Sequence, residues 1–107
     1  MALTKITSKV LANEFTTSYA ISASDVDWEA GTVFTKECTA NTTLTFSNAR
    51  TGMVKTLVIS GNYTITFPSA VKILNGTYDR SATKNIIQLI STNDATEIFG
   101  TISNYTE

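Results

Sequence analysis

The sequence predicts an all-β fold, a small antiparallel β-sandwich of jelly-roll or meander type with a short N-terminal arm. Three observations lead there. The segment Asn41-Thr42-Thr43-Leu44-Thr45-Phe46 returns as Asn62-Tyr63-Thr64-Ile65-Thr66-Phe67. In each copy the aliphatic residue and the Phe stand two apart, so a pleated strand sends both to one face and the threonines to the other. Twenty Thr, ten Ser and eight Asn then enrich the chain in β-branched residues and short polar turn formers, which favour strands and tight turns over helices. Finally, 107 residues with 42% hydrophobic and 16% charged make one domain, which buries roughly 60 to 70 per cent of its unfolded surface around one thin core.

Residues 1–18 form the arm and residues 19–107 the β-sandwich domain. In the arm Leu3, Ile6, Val10 and Leu11 recur at spacings of three and four, with Ser8 placed to cap a short helix. Two helical turns are marginal in water unless packed. With Phe15 these residues therefore either attach the domain to an external surface or fold back upon it. Tyr19 and Ile21 begin an edge strand. Val26 and Trp28 next alternate with Asp25, Asp27 and Glu29, which is a strand with an acidic outer face and Trp28 as a core anchor. Three such carboxylates raise the question of calcium. A calcium loop of the EF-hand type needs glycine at its sixth position and glutamate at its twelfth, and counted from Asp25 those positions hold Ala30 and Lys36. No metal site is assigned.

Phe34 and Cys38 share the inner face of the following strand, and Cys38 as the single cysteine has no internal disulfide partner. The polar run Asn48-Ala49-Arg50-Thr51-Gly52 reads as a hairpin-type turn into Met53 to Ser60. That strand is apolar on both faces, with Leu57 and Ile59 opposite Val58, as expected for a central strand or one covered by a neighbouring subunit. The simplest meander places it between the two copies of the repeat. Pro68 closes the second copy because it has no N–H to give to a ladder. Val71 to Leu74 is a short strand, and Asn75-Gly76 a strong turn signal. The polar connection from Thr77 to Lys84 carries Tyr78 and Arg80, which with the outward Tyr63 are candidates for surface recognition. Ile86 to Ile90 is again apolar on both faces. Val58, Ile86 and Ile90 are therefore assigned to an oligomer interface. Thr96 to Ser103 is the last strand, and Tyr105 falls in a frayed tail.

Chemistry is absent from this inventory. With no histidine, the usual general base and the commonest transition-metal ligand are missing, and one cysteine excludes structural zinc. A hydrolase would rest on two carboxylates converging in a cleft, whereas the pattern puts the acids on solvent faces and turn tips. Five glycines scattered singly make no phosphate loop. The expectation is no enzyme, no catalytic residue, no metal and no cofactor. A net charge of -1 offers no electrostatic pull toward nucleic acid or an acidic membrane. The longest apolar run, Leu57-Val58-Ile59, falls far short of the roughly 18 residues of a membrane span. Lys5 and Lys9 interrupt what would be the apolar core of a signal peptide, so synthesis in the cytoplasm is expected.

From Gly31 to Tyr105 the order of elements resembles a small β module of tailed-bacteriophage virion proteins. The residues that carry the likeness are Thr43-Leu44-Thr45-Phe46-Ser47-Asn48, a glycine, Thr56-Leu57-Val58-Ile59, Thr64-Ile65-Thr66-Phe67-Pro68, Val71-Lys72, Asn75-Gly76-Thr77 and Glu97-Ile98-Phe99-Gly100. The opening Met1-Ala2-Leu3-Thr4-Lys5-Ile6 is similar to the starts of phage fibre and head-fibre proteins. The resemblance implies a virion structural role, often as a homotrimer, and supplies no catalytic residues. A chain of one module fits a head-fibre, decoration or adaptor subunit, made in the host cytoplasm and attached by its arm to other virion structural proteins. The alternative is a receptor- or carbohydrate-binding module of a tail fibre, which would meet a host-surface glycan with exposed aromatic side chains.

Overall fold

The structure is a computed structural model, and it describes residues 18–107. The arm residues Leu3, Ile6, Val10, Leu11 and Phe15 lie outside the described residues. Ten strands run in order: β1 (Tyr19–Ala20), β2 (Asp25–Asp27), β3 (Val33–Glu37), β4 (Thr42–Thr43), β5 (Thr45–Ser47), β6 (Val54–Ser60), β7 (Ile65–Thr66), β8 (Val71–Asn75), β9 (Lys84–Asn93) and β10 (Glu97–Tyr105). No helix occurs among the described residues, so the expected all-β class is what the chain adopts.

The antiparallel sandwich is not. Five pairings are parallel, β1 with β3, β3 with β6, β2 with β5, β4 with β7 and β8 with β10. Only β6 with β9 and β9 with β10 are antiparallel. The chain winds in coils, in the manner of a β-solenoid, so that Val33 lies beside Thr56 and Thr42 beside Ile65, each 23 positions on. The hairpin β9–β10 extends one wall into a six-stranded sheet of order β1-β3-β6-β9-β10-β8. The physical reason lies in strand length. With two or three residues each, β2, β4, β5 and β7 are too short to stand as hairpin arms. They bury their single apolar face only by stacking on the like strand of the next coil.

The repeated segment shows this directly, and it corrects the expected strand order. The two copies are neighbours: Thr42 N–H donates to the Thr64 carbonyl at 2.9 Å and Leu44 N–H to that of Thr66 at 2.8 Å, while Asn41 Oδ1 accepts from Thr64 N–H at 3.0 Å. β6 is central, as expected, but between β3 and β9 on another wall. The stacking is offset two residues from the sequence repeat, one full pleat, so the facing is conserved. Leu44 and Ile65 are buried while Thr43, Thr45, Thr64 and Thr66 are exposed.

Corners are made by residues in the left-handed region, Asn48 at φ 61°, Gly52 at 91°, Gly61 at 102° and Gly76 at 85°, and Asp94 at 45° does the same in the β9–β10 hairpin turn. The run Asn48 to Gly52 is thus a corner between two walls rather than a hairpin turn, since β5 and β6 are not paired. Inside, Trp28, Phe34, Leu44, Leu57, Ile59, Ile87, Leu89 and Ile98 form the fully buried core. Trp28 meets the Phe46 ring at 5.6 Å between centroids. Cys38 is buried beside them, as the alternation with Phe34 predicts. Lys55 points inward and is 3% exposed; its ammonium donates to the Gly31 carbonyl at 2.6 Å, a satisfied charge at the mouth of the core. Tyr105 is no frayed tail, because it pairs with Lys84 at the end of β10.

Candidate functional site

Alternation along β6, β9 and β10 sends Lys55, Leu57, Ile59, Ile87, Leu89, Ile98 and Ile102 into the core, and their neighbours to the outer face of the six-stranded sheet. On that face the ladder register sets side chains in rows. Val54 stands beside Ile90 and Ile90 beside Phe99. Thr56, Gln88 and Thr101 make the next row, and Val58, Ile86 and Ser103 the one after. The three interface residues read from the sequence thus share one face, with Val58 and Ile86 directly paired. Val58 and Ile86 are half-buried by their neighbours, and Ile90 is 42% exposed.

Sequence reasoning missed three members of the patch. Val54 is 54% and Leu74 67% exposed, and Phe99 is partly open beside them. With Ile90 they line a shallow groove of about 310 Å³. Two signals were present. Val54 lies four residues before Val58, hence on the same face of the strand, and Leu74 lies two after Lys72. Partners across the sheet are what the sequence alone could not provide.

The recognition candidates separate. Tyr63 is 37% exposed on the turn that leads into β7, and Arg80 holds that turn on both sides of it. The Arg80 guanidinium donates to Asn62 Oδ1 at 2.8 Å, to the Asn62 carbonyl at 3.1 Å and to Thr64 Oγ1 at 3.2 Å. Tyr78 instead turns inward and packs against the core. Its hydroxyl is buried with no hydrogen-bond partner among the described residues, and burial pushes its pKa up to about 12. Its hydroxyl is therefore turned away from solvent, and only part of the half-buried ring borders the open surface beside Asp79 and Arg80. Asn85, which sequence reasoning passed over, anchors the same loop from within: its Oδ1 accepts from Asp79 N–H at 3.0 Å and its Nδ2 donates to the Asp79 carbonyl at 2.8 Å.

Carboxylates serve as turn locks. Asp25 accepts from Thr45 Oγ1 at 2.8 Å and Ser47 Oγ at 2.7 Å, across the β2–β5 pairing. The Asn48 side chain and then the Glu29 N–H hold the Asp27 carboxyl below the usual range. Ser81 does the same for Asp79 through its hydroxyl and its N–H, and Thr51 for Asp94 through its N–H and its hydroxyl. A general acid needs its pKa raised toward neutrality, and these three shifts run the other way. Among the described residues no three His, Cys, Asp or Glu side chains gather as a metal site. Comparison with protein-family models, with curated proteins and with solved structures finds no match to this chain.

Proposed function

We propose that this chain is a non-enzymatic structural subunit of a bacteriophage virion, of the head-fibre, decoration or adaptor kind. Copies assemble through the outer face of the six-stranded sheet, and residues 1–18 attach the assembly to other proteins of the particle. The observation that carries the reading is the apolar row Val54, Ile90, Phe99 with Leu74 beside it, open to solvent on a wall that also carries Thr56, Gln88, Thr101, the half-buried Val58 and Ile86, and the exposed Lys72 and Lys84. A contiguous apolar patch on such a wall marks a surface that another protein covers. The donor-bound carboxylates and the resemblance of residues 31–105 to virion modules support the same reading. Removal of residues 1–15 should leave the circular dichroism of the β fold unchanged and abolish incorporation into particles. Unchanged incorporation would refute the attachment role.

A second reading, a receptor- or glycan-binding module of a tail fibre, has one observation in its favour. Tyr63 stands exposed on a turn that Arg80 makes rigid, and a pre-ordered aromatic face suits sugar stacking. Under it, Tyr63→Ala keeps the fold and loses binding to host cells or glycan arrays.

A further inference from the structure

We propose that residues 1–17 of the free chain fold over its own outer sheet face and cover the groove of Val54, Leu74, Ile90 and Phe99. The inference rests on assembly through this face and attachment through the arm, and it makes the two successive: an arm that engages a particle leaves the face open for the next copy. The place where the described chain begins carries the argument. β1 is the first strand of the same six-stranded sheet that bears the groove, and Tyr19 stands level with Phe34 and Leu57. Because β1, β3 and β6 are parallel, the chain ahead of Tyr19 leaves the sheet on the side of Val54, three residues ahead of Leu57. The core fills the inner face, so the outer face is the one open to a returning segment.

Length and pattern both fit. The groove spans β6 to β8, which lie two and five strand spacings from β1, about 10 and 24 Å away at about 4.8 Å each. Phe15 is four residues ahead of Tyr19, a reach of up to about 13 Å, which brings it to β6. Taken as the helix that their spacing predicts, residues 3 to 15 extend a further distance of about 18 Å at about 1.5 Å each, enough to pass Leu74 on the far side. At about 100° per residue, Leu3, Ile6, Val10, Leu11 and Phe15 fall within one half of that helix, and Lys5 and Lys9 within the other. Glu14 is the one charge on the apolar half. That half meets the exposed Val54, Leu74 and Ile90. A segment tethered this closely acts at an effective concentration in the millimolar range, so at micromolar protein the arm outcompetes a second copy for the face.

The test reads native amines on the full chain. Lys5 and Lys9 belong to the arm, Lys72 stands beside Phe99 at the groove, and the exposed Lys84 stands on β9, which is nearer to β1 than β8 is. A short amine-reactive crosslinker should join Lys5 or Lys9 to Lys72 several-fold more often than to Lys84. In a mixture of isotope-labelled and unlabelled chains, each such link should hold two peptides of the same label. Light scattering after size exclusion should give the mass of one chain at micromolar concentration. The double variant Leu3→Asp with Ile6→Asp releases the arm; with unchanged circular dichroism it should lose the Lys72 preference and associate as concentration rises. A wild-type chain that links to Lys84 in preference to Lys72, the order set by distance from β1 alone, overturns the proposal. Lys72 links between differently labelled chains overturn it too, since the arm then covers a neighbour. A wild type that associates as readily as the double variant overturns the cover and leaves self-assembly standing. A Lys72 preference that the double variant loses without associating upholds the cover and overturns self-assembly through this face.

Discussion

Gly61 and Gly76 mark the places where one stretch of backbone lies closest upon another. A Cβ on Gly61 would run into the carbonyl of Cys38, and one on Gly76 into that of Ile102. Both also hold φ in the left-handed region, at 102° and 85°. Gly52 shares the conformation at 91°, yet a Cβ there meets nothing within 4 Å. Gly61→Ala and Gly76→Ala should therefore each cost about 1–3 kcal/mol of stability, from strain and a backbone clash together, and Gly52→Ala about 1 kcal/mol from strain alone. Urea midpoints at constant slope measure the difference, and equal losses at all three positions would show that coil-to-coil contact adds nothing. Tyr78 has a different signature. Burial lifts its pKa from the ordinary 10 to about 12, so the folded chain holds that proton more tightly than the unfolded one. The stability it contributes is complete below pH 10 and is lost as pH rises toward 12. Tyr78→Phe should remove this alkaline loss. At pH 7 it should also raise stability by up to about 1 kcal/mol, because a buried hydroxyl without a partner disappears. Denaturation curves at pH 7 and pH 11 decide both points. Alternation in the sequence reveals that Phe34, Cys38 and Trp28 are core. It says nothing of Tyr78, whose loop has no periodicity and whose inward turn depends on Asn85 six residues beyond its neighbour.

Among the elements, the connection between β8 and β9 is held from two directions, by Asn85 beneath it and by Arg80 reaching back to the turn before β7. Arg80→Ala removes the second anchor and leaves the first. Its bonds are exposed, so global stability should fall by less than about 1 kcal/mol. Local opening should increase more: the Ala82 N–H, bonded to the Asp79 carbonyl, should exchange with solvent several-fold faster, while amides of β9 and β10 keep their protection. Unchanged exchange at Ala82 would mean that Asn85 alone orders the loop. Strand positions were legible because burial on one face writes a period of two into the sequence, as Val54 to Ser60 and Glu97 to Ser103 show. Pairing was not, because parallel and antiparallel ladders use the same alternation. The clue lay in the repeat itself. Copies 21 residues apart suit one coil of a solenoid, whereas a meander has no reason to repeat a segment at that distance. The apolar face was half visible for the same reason, since Val58, Ile86 and Ile90 show the period and Leu74 gains its exposure from standing on the sheet's last strand.

For the molecule as a whole, the question is whether a few short coils unfold as one body or unwind from an end. In long repeat arrays each unit contacts only its neighbours, and the ends can melt independently. Here the buried residues of β2, β3, β6, β7 and the hairpin β9–β10 belong to a single cluster, in which Trp28 of the first coil and Ile98 of the last strand are both members. That sharing couples the coils. Trp28 is the single tryptophan and is fully buried, so its fluorescence reports on the first coil, while far-ultraviolet circular dichroism is dominated by the long strands β6, β9 and β10. The two signals should follow one urea transition with the same midpoint, with a slope near 1 kcal/mol per molar for a chain of this size. Trp28→Phe should lower that midpoint without broadening the transition, since the loss falls on the whole unit. If fluorescence moves first and dichroism later, the first coil melts alone. The wall of β6, β9 and β10 would then persist as the stable part, and the face proposed for self-assembly would survive the loss of the coil that precedes it. Refolding should be slow for a domain of this length, in milliseconds to seconds, because residues that pair in the parallel ladders lie some 20 positions apart and loop closure must precede their contact.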